Sequence, residues 1–103
     1  MMKSLDDLNG KVFREQLHTQ FKVHAAGQPQ SLELIEVTER DDSARMEFFS
    51  LHFRGPFSPR LAQQIHRVEH ERIGMFEIFL TPISADGQGT VYEAIFHRFR
   101  KQP

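Results

Sequence analysis

The chain has 103 residues, the length of one domain, with 39% hydrophobic and 26% charged residues, as in ordinary soluble globular proteins. Thirteen Lys and Arg against fourteen Asp and Glu give a formal charge of -1, which removes the bulk attraction that nucleic acid or an anionic membrane rewards. The absence of cysteine excludes a disulfide framework, a thiolate metal site and a cysteine nucleophile.

Met1 to Asp7 reaches acidic residues before any apolar run develops, so no secretory signal is read there. No window approaches the roughly 20 apolar residues of a membrane span. The expected location is the cytoplasm. Residues 1–103 are read as a single β-rich domain, with a helix at about 4–9 and strands from about 19 to 100.

In that helix Ser4 is placed to cap the free N–H groups, with Asp7 at the third helical position. Leu5 and Leu8 share a side, and Asn9-Gly10 is expected to stop or kink the helix. Strand signals begin at Thr19, where Phe21 and Val23 alternate with polar neighbours until Gly27-Gln28-Pro29 breaks the run. Ser31 to Glu39 is the second strand, and its phase slips. Leu32 and Leu34 lie on one face, then Ile35 and Val37 on the other, as a β-bulge would produce.

A polar loop at 39–43 leads to the third strand, Met46 to Arg54, closed by Gly55-Pro56. Gln63 to His70 is a fourth, more polar strand, and Gly74 turns the chain into the fifth, Met75 to Ile83. Asp86-Gly87 marks a hairpin before the last strand, Thr90 to Arg100. Six short strands joined by turns predict a mainly β fold, a small six-stranded antiparallel barrel or sandwich with a short N-terminal helix.

Three strands are apolar on both faces, where a strand with one wet face should alternate. Phe49, Leu51 and Phe53 oppose Met46 and Phe48; Phe76, Ile78 and Leu80 oppose Met75 and Phe79. Tyr92, Ala94 and Phe96 oppose Val91, Ile95 and Phe99. Either the N-terminal helix and ring closure cover the second apolar side, or it is a protein–protein surface. On the second reading Phe48, Phe79, Val91 and Ile95 are the contact residues and self-association or a protein partner is expected.

Candidate chemistry is sparse. Of six histidines (His18, His24, His52, His66, His70 and His97), His66 and His70 are four apart on a strand, roughly 13 Å at about 3.3 Å per residue. One zinc ion holds its nitrogens at about 2.0–2.1 Å, so the pair does not make a metal site. No serine sits in a Gly-x-Ser-x-Gly elbow, Asp41-Asp42 reads as a solvated turn, and Gly87-Gln88-Gly89 lacks the lysine of a phosphate loop. The basic run from His97 to Lys101 is one short tail on a chain without net positive charge. No catalytic residue, metal, cofactor, nucleic acid or membrane is expected, and enzymatic activity is not expected.

Glu93 lies between Val91 and Ile95 on its face, so it needs a cationic or hydrogen-bonding partner, with Arg54 or His97 available. Arg54, His70, Tyr92 and Glu93 are the candidate polar residues, either fixing register or ringing the mouth of a ligand-binding barrel.

The segments from Leu32 to Val37, Phe49 to Pro56, Val68-Glu69-His70, Phe79 to Ile83 and Tyr92 to Arg98 together resemble a family of small bacterial domains of unknown function, about one hundred residues long. Phe53-Arg54-Gly55-Pro56 and Tyr92-Glu93-Ala94-Ile95-Phe96 are the most specific parts, and the resemblance covers most of the chain after Phe13. Where the family pattern has Tyr and Asn, this chain has His66 and His97, so neither histidine is implied as a ligand. The resemblance implies a link with phage-tail-collar-like proteins and supplies no catalytic residues. The resulting expectation is an adaptor or assembly factor acting through an apolar sheet face, with a small-ligand-binding barrel as the alternative.

Overall fold

The computed structural model describes residues 2–25, 28–40 and 45–99. A 3-10 turn (Leu5–Asp7) and a helix α1 (Gly10–Arg14) precede six strands. These are β1 (Gln20–Ala25), β2 (Gln28–Arg40), β3 (Met46–Gly55), β4 (Gln64–His70), β5 (Gly74–Asp86) and β6 (Gly89–Phe99). All neighbours are antiparallel, and the sheet closes into a ring in the order β1-β2-β3-β6-β5-β4. Each half of the chain is therefore a three-stranded meander, and the halves join along β3–β6 and β1–β4. Among the described residues no helix is long and apolar enough to cross a membrane.

Alternation along the strands fills the ring. Phe49, Leu51 and Phe53 of β3 point inward beside Tyr92, Ala94 and Phe96 of β6, all nearly inaccessible. The phase slip in β2 is a bulge, with the β2–β3 register shifting between Leu34 and Glu36. Because Ile35 is the extra residue, Leu34 and Val37 both turn toward the core. A second shift in β5, between Pro82 and Ser84, lies beside the Asp86 hairpin. Gln28 and Pro29, read from sequence as a break, belong to β2 and pair with Ala25 and His24.

The N-terminal segment differs from expectation. The helix expected at 4–9 is only the 3-10 turn, with Ser4 Oγ accepting the Asp6 N–H at 3.2 Å. Asn9-Gly10 starts a helix rather than stopping one, because Asn9 Oδ1 accepts the Val12 N–H at 2.9 Å. That start delivers Phe13 into the end of the ring, fully buried, against rings from four strands. Its ring centre lies 6.4 Å from Phe21, 6.2 Å from Phe49, 5.8 Å from Phe76 and 6.3 Å from Phe96. Arg98 clamps this plug: it donates to the Leu5 carbonyl at 2.8 Å, to the Leu8 carbonyl, and to Glu47 Oε1 at 2.8 Å.

The other end is closed by the β3–β4 connection. Leu61 is buried there, and its N–H donates to the Tyr92 hydroxyl at 2.8 Å. Gly55 and Gly89 meet at this end, where a Cβ on Gly89 would run into the Gly55 carbonyl and one on Gly55 into Leu32. The glycine of Phe-Arg-Gly-Pro thus has a packing cause.

Candidate functional site

Because odd positions of β5 and β6 face outward here, their large apolar residues meet solvent. Ile65 of β4 pairs with Phe79 of β5. Phe79 stands two residues before Thr81, and Ile95 two residues after Glu93, which pairs with Thr81. Ile65, Phe79 and Ile95 therefore form one row across three adjacent strands, with 63%, 49% and 58% of their surface exposed. Ile83, Phe57 and Phe99 are exposed as well.

The other two expected contact residues lie elsewhere. Val91 is buried, on a stretch of β6 whose flanking strands β3 and β5 are joined by the Arg54–Asp86 ion pair. Phe48 is half-buried, with the Arg40 guanidinium 4.4 Å above its ring and the His97 ring edge-on at 5.7 Å. Ile65 was missed because β4 reads as polar, yet its alternation with His66 and Val68 already places it on the outer face.

The four candidate polar residues do not converge on one mouth. Arg54 donates from Nε and Nη2 to Asp86 Oδ2 at 2.9 and 2.6 Å. The Asp86 carboxyl is held below its usual range, chiefly by that bond and then by the Gln88 N–H. Glu93 bonds neither Arg54 nor His97 but His52, its registered neighbour, at 3.0 Å. The other nitrogen of His52 lies 3.2 Å from Glu36, so the trio spans β2, β3 and β6 and ties their register. Tyr92 points into the core toward Leu61.

His70 sits inside the opposite end, 4% exposed, its ring 4.2 Å from that of Phe21. Its Nδ1 faces the backbone N–H groups of Arg72 at 3.0 Å and Ile73 at 3.3 Å, so it accepts. Nε2 then carries the proton and donates to Thr19 Oγ1 at 2.8 Å, which donates to the Gln16 carbonyl at 2.6 Å. Burial lowers the pKa of this ring, Glu71 opposes the shift and Arg72 adds to it.

Other histidines pair with carboxylates on the outer face: His18 with Glu33 at 3.2 Å and His24 with Glu69 at 3.0 Å. Among the described residues no three His, Asp or Glu side chains are grouped to hold a metal ion. Ser50 faces outward on β3, opposite Ile95. Gly87-Gln88 is the two-residue turn between Asp86 and Gly89. Asp41-Asp42 and the basic residues after Phe99 lie outside the described residues.

The chemistry of this surface is thus apolar contact and strand-fixing ion pairs, borne on a small closed ring of strands. The family model described as Domain of unknown function (DUF6916) matches residues 8–96. The chain belongs to this family. The match runs from Leu8 of the plug to Phe96 of β6, so it takes in α1, β1 to β5, most of β6 and the β3–β4 connection, and leaves out the 3-10 turn and Arg98. No curated protein and no solved structure matches the chain.

Proposed function

We propose that this domain is a non-enzymatic, cytoplasmic interaction module that docks a protein partner on the outer face of β4, β5 and β6. The row of Ile65, Phe79 and Ile95 carries the reading. Three large apolar side chains in register on adjacent strands form a contiguous patch, and such patches on soluble proteins mark contact surfaces. The fold does not need them, since the core is complete on the inner face. Arg67–Glu77 and His52–Glu93 give the patch a polar rim, the usual anatomy of a contact surface. The partner class we propose is a protein subunit of a phage-tail-like assembly, on the strength of the family resemblance, with self-association as the form seen when the partner is missing. Nucleic acid is not a partner on this reading.

Molar mass by light scattering over a range of concentrations is the test. A concentration-dependent assembly that Phe79→Lys disperses supports the reading. A monomer at every concentration that also fails to bind an apolar dye overturns it.

A further inference from the structure

The β4–β5 turn packs on the plug, and one buried ring joins the two. Arg72 and Ile73 of the turn share a cavity of about 220 Å³ with Leu8, Val12 and Gln16 of the plug segment. His70, the last residue of β4, holds both sides. Its Nδ1 accepts the N–H groups of Arg72 at 3.0 Å and Ile73 at 3.3 Å, which sets the turn. Its Nε2 donates to Thr19 Oγ1 at 2.8 Å, and that hydroxyl donates to the Gln16 carbonyl at 2.6 Å, so the ring is also tied to the chain just after α1. The grip on the turn requires the neutral ring. A proton on Nδ1 would point at two N–H donors, and the two turn amides would lose their acceptor.

The surrounding charges leave that requirement in place. Glu71 and Arg72 flank the ring on its own turn and act in opposite senses, while burial is the larger influence and favours the neutral form. Lys3, Asp7 and Glu15 line the cavity from the N-terminal segment. On the outer side of β1, β2 and β4, His18 pairs with Glu33 and His24 with Glu69. The ring itself meets Thr19 and Phe21, which carry no charge.

We propose that His70 is an acid-operated latch, whose protonation lets the β4–β5 turn and the connector from Gln16 to Thr19 swing off the plug and opens the cavity between them to solvent. The opening is local, because Phe13 stays among its four aromatic neighbours and the Arg98 clamp on Leu5 and Leu8 holds no titrating histidine. It lies at the ring end and is independent of the outer-face reading.

Hydrogen exchange of the full chain at pH 7.5 and pH 5.5, corrected for the intrinsic rate, is the test. The amides of Arg72, Ile73, His18 and Thr19 should open up to about tenfold more at pH 5.5, the limit for one proton taken up by a ring that titrates at the ordinary 6.5 once open. The amides of Phe13 and Leu51 should keep their protection. The nitrogen resonances of His70 should show the proton on Nε2 at pH 7.5 and should titrate over the same interval as the amides open. His70→Asn, whose Oδ1 takes the place of Nδ1 as acceptor without titrating, should show no change between the two pH values. Equal acceleration at Leu51, no acceleration at pH 5.5, a proton on Nδ1 at pH 7.5, or acceleration retained in His70→Asn overturns the assignment. If His70→Asn does not fold, the parent chain decides, since ring and amide midpoints that differ also overturn it.

Discussion

The outer face of β1 and β2 and the outer face of β4 to β6 belong to one continuous sheet, yet they carry opposite chemistry. On β1 and β2 the outward residues are Gln20, Lys22, His24, Ser31 and Glu33, tied by Ser31–Gln20 at 2.7 Å, His18–Glu33 and His24–Glu69. An open groove of about 510 Å³ runs over them, lined by Lys22, Ser31 and Glu69 among others. On β4 to β6 the same geometric positions carry Ile65, Phe79 and Ile95. Both faces close equally good ladders, so ring closure does not dictate the outward residue. The polar face shows what solvent alone asks for, and the apolar face is the departure on which the proposed docking rests.

The largest expected effect calibrates the inside against both outsides. Phe13→Ala should destabilise the fold by about 3–5 kcal/mol in denaturant unfolding, because it empties a site ringed by four aromatic residues. Tyr92→Phe should cost about 1–3 kcal/mol, since it leaves the buried Leu61 N–H without its acceptor. If both are near zero, the ends are not part of the cooperative core.

A smaller effect is pH-dependent. The folded state holds His70 neutral, its pKa below the ordinary 6.5, so between the folded pKa and 6.5 the unfolded chain binds more protons. Stability should therefore rise with pH through that interval and fall as pH drops below about 6.5, levelling off below the folded pKa. Unfolding midpoints measured from pH 8 to pH 5 check the sign, and His70→Gln should flatten the profile.

The comparison of faces is sharpest where stability barely moves. Phe79→Lys and Ile95→Lys should change stability by no more than about 0.5–1 kcal/mol, as exposed sites do, while abolishing assembly. Lys22→Gln on the polar face should change neither. Assembly that survives Phe79→Lys, or is lost with Lys22→Gln, would place the contact elsewhere.

Much of this was legible in the chain itself. Alternation marked the inner residues of β3, β5 and β6, and the slip from Leu34 to Ile35 announced the bulge. Alternation says which residues share a face, but not what covers that face. Val91 and Ile95 look alike in sequence, yet the one is buried on the stretch of β6 flanked by the Arg54–Asp86 bridge, made by residues 32 apart, and the other is exposed. The same limit hid Phe13, whose four aromatic partners come from strands spread over the chain. Strand order was invisible for a similar reason, since the two meanders share a layout but no recognisable sequence repeat. Asn9 was misread because a turn residue and a helix cap are the same residue type in different company.

The ring is also unevenly sewn. Among the described residues β3 and β6 run together for ten residue pairs, whereas β1 and β4 share three, from Lys22–Glu69 to His24–Arg67. That short ladder joins residues more than forty apart and closes the circle, so its loop-closure entropy is repaid by few bonds. It is the seam of the molecule. In hydrogen exchange the amides of Lys22 and His24 should open first and those of Leu51 last, and in refolding the two meanders should zip along β3–β6 before the seam shuts.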